Sequence, residues 1–218
     1  MNPLCKSLSL IALLAASCSD SNKTTVESTE DLTKQAMGGD ADAMKELEKQ
    51  VTEASKGIKK EIEESAAKGD EKALVTSAWL NGGEDKVLEL AEGGNTQALF
   101  EIGRHYNAMV ADKQIQGRDM LIKAAEAGHP RAMFLVGKHS LHGLTGFEKN
   151  AETGRSYLEK SAEAGEAEAA YSLGVSLRYG IELTADKAKA LEYYKQADKG
   201  GFKDPGGELQ SLSKELGQ

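Results

Sequence analysis

One small pattern, Ala-x-x-Gly-x-x-x-Ala, recurs along this chain and limits what it can fold into. It reads Ala36/Gly39/Ala43, Ala66/Gly69/Ala73, Ala91/Gly94/Ala98, Ala125/Gly128/Ala132 and Ala162/Gly165/Ala169. A sixth, partial copy has Ala197 and Gly200, with Asp204 where the last Ala belongs. The start-to-start spacings are 30, 25, 34, 37 and 35 residues. Self-similarity at a period near 35 marks stacked helical hairpins, each too small to bury its apolar face without a neighbour. The Gly of each copy suits the left-handed residue that stops a helix, and the next helix starts almost at once. No stretch alternates apolar and polar residues long enough for a sheet, so the predicted fold class is all-α.

Three repeats in the C-terminal half align column by column. In their first helices, Leu99, Ile102, Gly103 and Tyr106 stand at i, i+3, i+4 and i+7. Met133, Val136, Gly137 and Ser140 fill the same columns, as do Ala170, Leu173, Gly174 and Leu177. This is one buried stripe of an amphipathic helix, written three times. A mid-helix Gly costs about 1 kcal/mol relative to Ala, so it needs a packing reason, and close approach of the partner helix supplies one. The second helices align from Gly117 to Gly128 and from Gly154 to Gly165, with a looser copy from Ala190 to Gly200 that sets Gln196 in an Ala column. His129-Pro130 fits a Pro in the first helical turn. Upstream, the compressed spacings predict short or degenerate hairpins over 31–97. After Gly200, Asp204-Pro205-Gly206-Gly207 breaks the chain, and Glu208 to Leu216 reads as a short helix over the open end of the stack, within a capping segment 201–218.

The N-terminus reads as a leader. Lys6 gives a basic start, Leu8 to Ala16 is apolar, and Ala15-Ala16-Ser17 is a small-residue cleavage site, so 1–17 is a signal peptide. Its apolar run is too short to remain as a spanning helix. Leu14-Ala15-Ala16-Ser17-Cys18 resembles the lipobox of bacterial lipoproteins, although Ala15 stands where that family favours Leu. The resemblance implies a lipid on Cys18 and, with Ser19 next, sorting to the outer membrane, facing the periplasm. An ordinary secretory leader is the alternative. Residues 18–30 are then a lipidated N-terminus and a polar tether without apolar period. Cys5 leaves with the leader and Cys18 is consumed by lipid, so no disulfide or Cys-built zinc site is expected. With Lys6 gone the net charge moves from −8 to −9. Such acidity argues against nucleic acid and against electrostatic docking on anionic lipid.

The residues of the C-terminal half resemble Sel1-like repeats, relatives of the tetratricopeptide class. The marks are Leu173-Gly174, the Tyr179-Gly180 turn, Asp186-x-Ala188-x-Ala190-Leu191, Tyr193-Tyr194-Lys195 and the two-glycine turn Gly143-Leu144-Thr145-Gly146. The resemblance spans about 98–200. Ser140 departs from it in a Tyr column, and Tyr179-Gly180-Ile181-Glu182 lacks the second turn glycine. It implies a right-handed α-solenoid whose first helices line a concave binding face.

At 100° per residue, positions 101, 104, 105 and 108 point away from the buried stripe. Across neighbouring first helices this places Glu101, Arg104, His105, Leu135, Lys138, His139, His142 and Tyr179 on one side, the candidate partner-binding face. Aromatic and Arg side chains there are the types that anchor partners. A merely solvated face is the alternative, and His105, His139 and His142 as metal ligands is another. The adjacent helix spacing of about 8–10 Å is a long reach for His105, so no metal is expected. Neither a Walker-type phosphate loop nor a Gly-x-Ser-x-Gly elbow occurs. The expectation is a monomeric, non-enzymatic scaffold without cofactor that binds a protein partner, in envelope assembly or secretion or as an immunity protein against a toxin. Glycan or peptidoglycan binding is the rival, with only Tyr179 and Trp79 available for stacking on sugars; a metal-dependent enzyme is a more distant one. Trp79, the single Trp, reads as a core plug in the short second hairpin.

Overall fold

A computed structural model of the chain describes residues 32–109 and 112–217. The leader, Cys18 and the tether lie outside the described residues. Among the described residues every regular element is helical. The chain divides into two compact units between Gly69 and Asp70.

The first unit holds a short helix over 32–37 and α1, Ala41–Ala67. Asp40 caps α1 by accepting the N–H groups of Asp42 and Ala43 at 3.0 and 3.1 Å. A hairpin is expected here, but one helix of 27 residues forms instead. The reason is local: no Pro or cap pair interrupts the segment, and a lone Gly57 costs helix stability without stopping a helix. Within α1 only Ala43 and Leu47 are buried. Its surface carries i, i+4 pairs, Lys59 with Glu63 and Lys60 with Glu64, worth a few tenths of a kcal/mol each.

The second unit runs through α2 (Glu71–Glu92), α3 (Thr96–Asn107), α4 (Asp112–Glu126), α5 (Pro130–His142), α6 (Ala151–Glu163), α7 (Ala167–Tyr179), α8 (Lys187–Lys199) and α9 (Glu208–Glu215). The hairpins α3/α4, α5/α6 and α7/α8 are the tightest pairings. Each second helix then packs on the next first helix, and α9 packs on α8.

The opening pattern marks the junctions. Gly69, Gly94, Gly128 and Gly165 take φ of 91, 87, 88 and 93°, the left-handed stop that only Gly adopts freely. Next, Asp70, Asn95 and His129 cap the following helix by accepting the N–H of Ala73, Ala98 and Ala132. The last Ala of the pattern is small because it is enclosed: Ala98, Ala132 and Ala169 are fully buried. The sixth copy is corrected by one residue. Gly200 ends α8 with φ −77° and Gly201 takes φ 83°. The Phe202 N–H bonds the Ala197 carbonyl just as the Glu166 N–H bonds that of Ser161. Ala197 therefore belongs in the Ser161 column, and Gln196 falls in the Lys160 column rather than an Ala column.

Inside the hairpins the helices touch backbone to backbone. A Cβ on Gly103 would lie 2.9 Å from the Leu121 nitrogen, and one on Gly137 would lie 2.9 Å from the Gly154 oxygen. The partner glycines are tighter still, at 2.3 Å for Gly117 against the Asn107 nitrogen and 2.6 Å for Gly154 against that of Leu141. The third hairpin is built differently. Gly174 faces the ring of Tyr194, which replaces Leu121 and Leu158 in that column, and Ala190 replaces the second glycine. The Tyr194 hydroxyl is buried and has no hydrogen-bond partner among the described residues. Burial pushes its pKa up. Tyr194→Phe is therefore expected to raise stability by about 1 kcal/mol, because an unpaired buried hydroxyl is removed. A urea midpoint lower than that of the parent protein would contradict this.

Counting from the caps reveals a further repeat in α2. Ala78 stands as far from Asp70 as Gly103 does from Asn95. At the other end, Val87 precedes Gly94 by the same interval as Leu121 precedes Gly128, and it is fully buried. Between them the whole interhelical loop is missing, and Gly83 turns the helix sharply at φ 61°, ψ −148°. That deletion is why the spacing shrinks to 25 residues.

The longer loops stack on one another. Thr145 and Glu182 both sit at positive φ, 48 and 60°, an uncommon conformation for a side chain with a Cβ. The Asn107 amide donates to the Thr145 carbonyl at 3.2 Å, and Lys149 pairs with Glu182 at 2.7 Å. The second turn glycine is absent from the Glu182 loop because that loop is one residue shorter. It closes with the Asp186 N–H on the Leu177 carbonyl, where the longer one uses Asn150 on Ser140.

Candidate functional site

His129, the cap of α5, reaches Gln97 and Phe100 of α3, and α5 touches α7 directly, so the free faces of these first helices form one surface. On α3, Glu101 is half-buried and accepts from Gln97 at 3.1 Å and from Arg104 at 2.9 Å. Arg104 itself is exposed. His105 is exposed too, with its ring edge-on to Trp79 at 5.9 Å and its Nε2 3.8 Å from Glu84. On α5, Lys138 and His142 are exposed, and the Lys138 ammonium lies 5.6 Å from the Phe134 ring.

Two of the expected contacts are drawn inward. Leu135 is half-buried, packed against two successive apolar clusters. His139 is half-buried: its Nδ1 pairs with the Thr145 hydroxyl at 2.7 Å and its ring meets Phe147 edge-on at 5.3 Å. Burial, then Lys138 and His142, push the His139 pKa down. The three histidines are therefore not gathered, and among the described residues no group of three or more His, Cys, Asp or Glu side chains is placed to hold a metal ion. Tyr179 is exposed, yet its hydroxyl donates to Glu208 of α9 at 2.9 Å.

Column counting within the three regular repeats misses the polar tie at the α2 kink. Glu84 accepts from the Tyr106 hydroxyl at 2.5 Å and pairs with Lys113 at 3.4 Å, while Lys113 lies 3.8 Å over the Tyr106 ring. The Tyr106 hydroxyl, then Lys113 and His105, hold the Glu84 carboxyl below the usual carboxylate range. It also misses Trp79 as a neighbour of His105, with the exposed Leu80 next to Trp79 in the chain. The cap Asp70 with Ala73 is the signal that places both Trp79 and Leu80.

His129 is a capping group, not a face residue. Its Nδ1 accepts the Ala132 N–H at 3.2 Å, so the proton sits on Nε2 and is donated to Gln97 Oε1 at 3.0 Å. Its ring stacks on Phe100 at 4.5 Å. Burial pushes the His129 pKa below its ordinary 6.5, with the Glu101 and Glu71 charges opposing only in part. As pH falls the unfolded chain takes up this proton first. The stabilisation is complete above about 6.5 and is lost as pH drops through the folded value; His139 acts in the same direction. We expect the urea midpoint to hold steady from pH 8 to 7 and to fall below about 6.5. His129→Asn, which keeps a capping side chain, should flatten part of that slope. An unchanged slope would refute the assignment.

Helical hairpins in a linear stack, with one free row of side chains on the first helices, define an α-solenoid repeat scaffold. Residues 97–129, 130–166 and 167–201 each match the Sel1 repeat model. The crystal structure of a Sel1 repeat protein from Oxalobacter formigenes is 31% identical, covering 57% of this chain and 95% of that one, with a TM-score of 0.51. The chain belongs to the Sel1 repeat family, whose repeats commonly serve as protein–protein interaction scaffolds. A second solved structure, c5321, a protective antigen of uropathogenic Escherichia coli displaying an SLR fold, is 19% identical with a TM-score of 0.54. It covers 85% of this chain, which spans 46% of its length, and it speaks for the fold alone. Comparison with curated proteins finds no match.

Proposed function

We propose that this protein is a lipid-anchored scaffold of the bacterial cell envelope that holds a protein partner on the first-helix face of its Sel1 solenoid, without turnover. The observation that carries the reading is the free row itself. The stripes facing the other way are consumed by packing, whereas Arg104, His105, Lys138 and His142 project from helices already packed in the stack. A preformed surface loses little freedom on binding, which favours affinity for its area. The leader and Cys18 support the anchor, and Ser19 supports the outer membrane facing the periplasm. Assembly or secretion of envelope components and neutralisation of a delivered toxin both use this same capture step.

Two measurements test it. Labelled palmitate should enter the parent protein and not a Cys18→Ser variant; incorporation into the variant would remove the anchor. A photoreactive benzophenone side chain at position 138 should cross-link a protein in native membranes, and one at the outward-facing position 163 should not. Equal yields at the two positions would refute the face. The captured protein, an envelope-assembly component or a toxin, decides between the two roles.

A further inference from the structure

The repeat hidden in α2 lengthens the candidate face and changes its chemistry. Thr76, Trp79 and Leu80 follow their cap Asp70 at the same intervals as Glu101, Arg104 and His105 follow Asn95. Leu135, Lys138 and His139 follow His129 in the same way, and Ser172, Val175 and Ser176 follow Glu166. The Trp79–His105 ring contact brings the first two rows together. Leu80 is 56% exposed, more than any other large aliphatic side chain among the described residues of the second unit. Trp79 beside it is half-buried and held edge-on, the kind of rigid aromatic that anchors interfaces. The row thus runs from an apolar end on α2, through cations on α3 and α5, to the uncharged Ser172 and Val175 on α7.

Its charge differs from that of the molecule: Glu101 and Arg104 offset each other, which leaves the Lys138 ammonium as the excess charge. The chain carries −8 overall. Along the row, however, the Glu101 carboxylate is engaged by Arg104, and Glu84 is shared among Tyr106, Lys113 and His105. Lys138 has no carboxylate partner among the described residues. An acidic segment is therefore repelled by the surface at large and attracted here, a discrimination by position.

We propose that this row is the docking surface for an extended acidic segment of a partner protein. One apolar side chain seats on Leu80 and Trp79, and carboxylates follow to meet the Arg104 N–H groups that Glu101 does not engage and the Lys138 ammonium. This rests on the reading that the first-helix face holds a protein partner. Neighbouring helix axes lie about 8–10 Å apart, and an extended chain advances about 3.3 Å per residue. The segment that fits has an apolar residue, then an acidic residue about three positions on, then a second about three further.

The test uses the full chain in native membranes, with a benzophenone side chain at position 80 or 138, and mass spectrometry to locate the cross-linked residues on the captured protein. The expected segment has the apolar-acidic-acidic spacing. A synthetic peptide spanning it should bind the parent protein at least ten-fold more tightly than it binds Lys138→Glu or Leu80→Ser. Changing the matching acidic residue of the peptide to Lys should restore binding to Lys138→Glu. Both substitutions are at exposed positions, and unchanged circular dichroism verifies their fold. A captured protein cross-linked through a segment without acidic residues, or through a second copy of this chain, overturns the proposal and leaves the scaffold reading standing. No cross-link from either position overturns both.

Discussion

Gly117→Ala and Gly154→Ala are each expected to destabilise the second unit by about 3 kcal/mol, the upper part of the range for overpacking. An added Cβ would lie 2.3 Å from the Asn107 nitrogen in one case and 2.6 Å from the Leu141 nitrogen in the other. These atoms are backbone of the facing helix, so no rotamer change relieves the contact and the hairpin must open. For Gly174→Ala the nearest atoms are those of the Tyr194 side chain rather than backbone, and the substitution should cost less. The internal control is Gly57→Ala. That glycine is helical and exposed, and nothing approaches its Cβ position within 4 Å. Substitution there should stabilise α1 by about 0.5–1 kcal/mol. Urea unfolding followed by helicity reads both series, and a Gly117→Ala midpoint equal to that of the parent protein would refute the close approach.

Arg178→Ala is expected to release the terminal helix at a cost of about 2 kcal/mol. The guanidinium is almost enclosed. One nitrogen donates to the Glu208 carboxylate at 2.6 Å and to the Glu208 carbonyl at 2.9 Å, and another donates to Ser211 at 2.9 Å. Removing it leaves the Glu208 carboxylate without its cation and α9 held by Leu212, by the Tyr179–Glu208 bond and by the Lys187–Glu215 pair. Because a solenoid unfolds unit by unit, the loss should be local. Amide exchange should accelerate over 208–215 while α3 to α6 keep their protection. Arg178→Lys should rescue little, since an ammonium lacks the fork that reaches both partners. Uniform loss of protection along the stack would show that α9 is no separate cap.

Much of the repeat architecture is legible from residues alone because the junctions allow little choice. A left-handed stop calls for Gly, and the enclosed third residue of the next helix calls for Ala. Where two glycines adjoin, as Gly200 and Gly201 do, spacing alone does not say which one turns the chain. The bond from Phe202 to Ala197 decides it. Likewise the compressed repeats look alike as spacings, 30 and 25 residues, yet one is an uninterrupted helix and the other a hairpin sequence run together through Gly83. The candidate face shows the same division. Helical periodicity sorts Arg104 and Lys138 outward correctly. It fails for His139 and Leu135, because what draws them in comes from elsewhere: Thr145 and Phe147 on the following loop, and the apolar clusters of two adjacent repeats.

The sequence by itself determined that this protein is a row of helical hairpins joined at glycine stops, with its first helices in register. That much follows from backbone conformations that few residues can adopt and from apolar stripes with a single period. Only the tertiary structure decided which members of the outward columns stay free, that the row continues into α2 through Trp79 and Leu80, and that its cations lie in an otherwise acidic molecule. Those properties depend on side chains that meet across repeats, and such distances are set by packing rather than by order along the chain.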